Sequence, residues 1–103
     1  MIDPSAITGF DWDEGNARKN ERHGVSMAEA EQLFFNTPIL LLDDVMHSQS
    51  EPRYHTLGKT TENRRLHCSF TLRGNGRLIR VISARDMNRK EQAIYDQAPQ
   101  ENL

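Results

Sequence analysis

The spacing of apolar positions changes period along this chain and divides it into helical and strand-like parts. Residues 6–12 read as a short edge strand ending in Phe10 and Trp12. Asp13 can cap a helix over about 14–22, which Gly24 ends in the left-handed position that glycine favours. Ser26 opens a second helix with Glu29 three positions on, a capping box. Its Met27, Ala30, Leu33 and Phe34 recur at helical spacing and predict a buried stripe; Pro38 lies beyond its end.

From Ile39 to Ala84 the pattern is that of strands and turns. Ile39 to Leu42 is a continuous apolar run, which predicts a buried strand. Residues 43–52 form a polar loop holding His47, Ser48 and Glu51, and 53–59 read as a strand before a turn at 60–63. Over 65–73 the alternation is clean, with Leu66, Cys68, Phe70 and Leu72 on one side and Arg65, His67, Ser69, Thr71 and Arg73 on the other. Gly74-Asn75-Gly76 signals a hairpin into a strand over 77–83. That strand breaks the binary rule: Arg80 shares a face with Leu78 and Ile82, opposite Ile79 and Val81. Such an arginine is either partly buried and paired, or held rigidly at a site. Asn88 and Glu91 make another capping box, opening a helix to about Gln97 with Ala93, Ile94 and Tyr95 inward. The order predicts a single α+β domain over 1–103: two helices, a four-stranded antiparallel meander and a C-terminal helix, with residues 98–103 a loose tail.

At 103 residues the chain suffices for one domain and not two. No apolar run approaches the ~20 residues of a membrane span, and the acidic start does not suit a signal peptide. Cys68 stands alone, so an internal disulfide and a Cys-rich zinc site are excluded. The expected compartment is the cytosol.

Charge changes the picture more than composition does. The net charge of −2 hides a segment, 59–90, with nine basic and two acidic residues. Lys59, Arg64, Arg65, Arg73 and Arg77 in it are candidate contacts to an anionic partner, RNA or other nucleic acid or an acidic protein, because arginine forks suit phosphates and carboxylates. The bland alternative is a solvated sheet face balanced by the acidic first half. Of the four histidines, His47 lies in the polar loop, His23 follows a helix, His67 lines the polar sheet face, and His55 carries no implied chemistry. No metal or nucleotide-cofactor spacing occurs. A basic sheet with histidines suits RNA cleavage by its own 2′-hydroxyl, which needs a base, an acid and positive charge at the phosphorane. Spacing alone does not separate this from simple binding of RNA or of an acidic protein. A lone DNA regulator fits less well, since no helix is strongly basic.

Three stretches resemble the BrnT family of toxins: residues 10–16 with Lys19-Asn20 and residues 23–26, then Asp43-Asp44 with His47-Ser48 and residues 51–54, then residues 77–85 with 89–91. The resemblance spans about 10–95. It implies a RelE-like fold and a ribonuclease toxin of a bacterial type II toxin–antitoxin system. A BrnA-like antitoxin would neutralise it, and only their complex would bind operator DNA. On matching positions it implies His23, His47, Arg53, Arg80, Ser83 and Arg85 as site residues, without cofactor or metal. The chain departs from the family at Asn16, where many members carry lysine and a phosphate contact is lost, and in a shorter Asn20–His23 spacing.

Overall fold

The computed structural model describes residues 3–44, 46 and 51–98. After a 3-10 turn at Pro4–Ala6, the elements are β1 (Gly9–Phe10), α1 (Glu14–Arg22), α2 (Met27–Gln32), β2 (Leu40–Asp43), β3 (Arg53–Lys59), β4 (Arg65–Arg73), β5 (Leu78–Asp86) and α3 (Arg89–Asp96). The sheet has five strands in the order β1-β5-β4-β3-β2. Strands β2 to β5 form the antiparallel meander that the turn chemistry predicts. The fifth strand is the two-residue β1, which pairs parallel to β5 at Leu78 and Ile79 and makes the sheet mixed.

All three helices start on the caps read from sequence. Asp13, Ser26 and Asn88 each accept from the backbone N–H three residues on, and the side chain found there reaches back to the cap's own N–H. Gly24 has φ +72° just beyond α1, a conformation that costs glycine nothing.

The main core lies between α1, α2 and one face of the sheet, built on Leu33, Leu66, Phe70, Val81 and Ala84. Burial of these apolar side chains is the main favourable contribution to folding. At Gly58 an added Cβ would sit 3.1 Å from Leu33, so the absence of a side chain lets the end of α2 settle on β3. On the opposite face α3 covers only one end, where Tyr95 packs with Leu57, Met87 and Leu40 and donates to the Pro38 carbonyl at 2.7 Å.

Four packing expectations need correction. Met27 is 46% exposed, because α2 buries Ala30 and follows with Leu33 and a half-buried Phe34. The run before residue 43 is an edge strand with Leu41 and Leu42 exposed, since among the described residues nothing pairs beyond β2. In α3, Ala93 and Ile94 face solvent and Tyr95 carries the burial, while Ala98, expected in the loose tail, is buried just beyond the helix. The face assignment along β5 also fails after Val81. Ser69 pairs with Ser83 while Phe70 pairs with Val81, so Ile82 is the extra residue of a β-bulge. The tail from residue 99 lies outside the described residues.

Candidate active site

The bulge decides which side chains share a face. Without it, Ser83 and Arg85 would point to the core and Ala84 away from it. With it, three rows of directly paired residues run across the sheet on the face opposite the main core, which among the described residues is open except at the end where α3 covers Leu57. They are Arg53–Thr71–Arg80, then His55–Ser69–Ser83, then Leu57–His67–Arg85. Helix α1 closes the strand edge that the short β1 leaves uncovered. Asn16 donates its amide to the Val81 carbonyl at 2.9 Å, and the Asn20 carbonyl oxygen accepts from the Ala84 N–H at 2.8 Å. These buried bonds on either side of Ile82 hold the bulge. Asn16 also donates to the Asp11 carbonyl and accepts from the Asp13 N–H, so in this chain the position is a structural anchor.

A polar chain occupies the middle of the open face. His55 Nε2 lies 3.0 Å from Asp44 Oδ2, and His55 Nδ1 lies 3.2 Å from Ser69 Oγ and 3.1 Å from His67 Nε2. Asp44 is buried, while His55, His67 and Ser69 are half-buried. Burial, then the positive charge of Arg85, push the His67 imidazole below its ordinary range. Arg85 forks onto Glu91 at 2.8 and 2.9 Å. That fork, above all, holds the Glu91 carboxyl down at about 2.

The candidate residues read from sequence divide sharply. Arg53, Arg80, Ser83 and Arg85 come together on the open face. His23 does not: it is the exposed C-cap residue of α1, the helix whose Asn16 and Asn20 grip the outer edge of β5. His47 lies outside the described residues. Sequence reading missed Asp44, His55, His67 and Ser69 as a group. The strand alternation held a signal for three of them, since pairing β3 with β4 in any register that matches the apolar faces puts His55, His67 and Ser69 on one side.

The basic segment is less free than its charge suggests. Arg80 reaches Asp13 at 2.7 Å and Asp11 at 3.5 Å. Arg65 pairs with Asp96 and lies 5.7 Å from the Tyr95 ring centre, and Arg73 pairs with Glu51. Arg64 forks onto Asp86 at 2.8 and 3.1 Å, and also reaches Glu29 and the Gly24 carbonyl. An RNA phosphate would have to displace a carboxylate at each of these sites. Arg77, Arg89 and Lys90 are exposed, and Lys59 is half-buried.

An apolar hollow of about 340 Å³ lies elsewhere, between β1, the end of α2 and the core side of β4 and β5. Phe10, Phe34, Phe70 and Ile79 line it, and no titratable side chain does, so it offers no acid–base chemistry. Cys68 is buried in the core with its thiol pushed far up by desolvation, which removes it as a nucleophile. Among the described residues no helix is long and apolar enough to cross a membrane.

An α+β domain that gathers guanidinium groups, imidazoles and a buried carboxylate at one sheet face carries the types of group that acid–base chemistry on anions uses. The family comparison is more specific. Residues 12–91 match the model of the ribonuclease toxin BrnT of type II toxin–antitoxin systems, and the chain belongs to that family. No curated protein matches the chain.

Proposed function

We propose that this chain is an endoribonuclease toxin that cleaves RNA with its own side chains and without a metal ion. A BrnA-like antitoxin neutralises it, and operator DNA is bound only by the toxin–antitoxin complex. The observation that carries this reading is the gathering of Arg53, Arg80, Ser83 and Arg85 with two histidines on one face of the sheet, opposite the main core. RNA lies across that face, with the scissile phosphate among the guanidinium groups and the Ser83 hydroxyl donating to a phosphate oxygen. Fixed donors of this kind stabilise the charge that grows on a phosphorane. The antitoxin covers the same face, so hydrogen exchange in the complex should slow on β3 to β5; protection confined to residues 3–38 would contradict this.

A non-enzymatic reading is favoured by one observation. Arg64, Arg65, Arg73, Arg80 and Arg85 are all paired with carboxylates, which suits a surface that balances its own charge. Incubating the purified chain with RNA in chelator separates the two. The expected products carry 2′,3′-cyclic phosphate and 5′-hydroxyl ends, and a 2′-deoxy residue at the scissile position blocks their formation. RNA that is bound and left intact supports the non-enzymatic module.

A further inference from the structure

His55 has a defined tautomer. An ionised carboxylate only accepts hydrogen bonds, so the 3.0 Å contact with Asp44 places the ring proton of His55 on Nε2. In its neutral form such a ring presents a lone pair at Nδ1. Two donors compete for it, the Ser69 hydroxyl at 3.2 Å and the His67 Nε2–H at 3.1 Å. His67 suits the donor's part. Its Nδ1 is buried and has no hydrogen-bond partner among the described residues, so a second ring proton there would be a buried donor without one of them to meet. Burial and Arg85 disfavour its charged form in the same sense.

The order carboxylate, imidazole, hydroxyl is that of a nucleophilic serine, but the strand position argues against that role. Ser69 lies in a central strand with ladder partners on both sides, His55 and Ser83, so its backbone N–H offers no oxyanion hole. The hydroxyl serves better as a marker of where another hydroxyl would sit.

We propose that His55 is the base that takes the proton of the ribose 2′-hydroxyl, that Asp44 is the positioning residue that orients its ring, and that Ser69 Oγ stands in the RNA-free protein near the place of the 2′-oxygen. This rests on the ribonuclease reading above. The 2′-O–H proton moves to His55 Nδ1, O2′ bonds to phosphorus, and the P–O5′ bond breaks. O5′ leaves with a proton taken from water, and the imidazolium returns its proton to the hydroxide so formed.

The test compares His55→Ala, His55→Gln, Asp44→Asn and Ser69→Ala with the unaltered chain on one RNA, each confirmed folded by circular dichroism. Both His55 variants should lose about 100-fold or more in kcat, the usual contribution of a positioned base. The glutamine variant keeps polar contacts with its neighbours, so its loss reports the missing base rather than a gap. Added imidazole should restore part of the activity of His55→Ala. Asp44→Asn should lower kcat and leave KM nearly constant. Ser69→Ala removes one of the two competing donors, the one at the proposed place of the 2′-oxygen, and should raise kcat/KM about three-fold, the scale of one modest hydrogen bond. Full activity in both His55 variants, with 2′-deoxy substitution still blocking the unaltered chain, overturns the assignment and leaves the ribonuclease reading standing. Loss of activity in folded Ser69→Ala also overturns it, in favour of a serine that acts itself. An unaltered chain that leaves RNA intact overturns both readings.

Discussion

Replacing Arg80 by alanine should leave a folded protein that cleaves RNA roughly 100-fold more slowly, the scale of one lost electrostatic contact in a transition state. The structure shows the ion pairing that the sequence left as one of two possibilities, since Arg80 reaches Asp13 and Asp11. Pairing does not remove it from the site. Its side chain is 22% exposed, and it stands in the row beside the His55–Ser69–Ser83 row. The aspartates hold the fork in one place and raise its affinity for the proton, Asp13 foremost, which orders the cation before substrate arrives. Both carboxylates keep access to water, so losing the arginine should lower Tm by only about 5 °C, as for a surface pair in a small domain. Lysine should rescue cleavage poorly, because a point charge does not reproduce the fork. Parallel measurement of Tm and cleavage rate decides the matter. A large loss of Tm would make Arg80 a structural clamp, and a folded variant with full activity would remove it from the site.

Arg64 should behave in the opposite way, although the sequence groups it with the RNA contacts. It ties three parts of the fold together: the Gly24 carbonyl after α1, Glu29 in α2 and Asp86 at the end of β5. Arg64→Met keeps the apolar stem and loses every one of these bonds. Asp86, whose carboxyl the guanidinium holds below its usual range, and Glu29, held down first by the Ser26 N–H and then by Arg64, would lose that partner. The expected cost is about 2 kcal/mol, discounted because solvent reaches the cluster, which corresponds to a fall in Tm of roughly 10 °C or more. RNA affinity of the folded fraction should change less than two-fold. A variant with unchanged Tm and weakened RNA binding would return Arg64 to the phosphate surface.

The contrast between these arginines shows what the sequence could carry. Caps were legible because each is a local bargain: Asp13, Ser26 and Asn88 satisfy helix N–H groups within three residues, whatever the rest of the chain does. The meander was legible for a similar reason, with the Gly74–Gly76 turn at positive φ joining two strands of suitable pattern. Residues 9–10 could be read as an edge strand, but their parallel pairing with β5 is a long-range choice that no local pattern records. The bulge at Ile82 was hidden because its hydrogen-bonding partners, Asn16 and Asn20, stand more than sixty positions away. That one inserted residue moves Ser83 and Arg85 onto the face of His55 and His67. The candidate site was therefore legible as a set of arginines and a serine, and illegible as a place. Asp44 completes it only because the end of β2 returns beside β3, where its N–H donates to the Arg53 carbonyl at 2.8 Å.

The central claim is that RNA meets this protein on the open face of the sheet, at the pair of histidines on β3 and β4. The most direct measurement follows the imidazole nitrogen signals of the folded protein by NMR while an uncleavable 2′-O-methyl RNA is added. The account predicts that the His55 and His67 signals shift together and saturate with RNA, while that of His23, exposed at the end of α1, stays in place. A shift at His23 with His55 and His67 unmoved would contradict it.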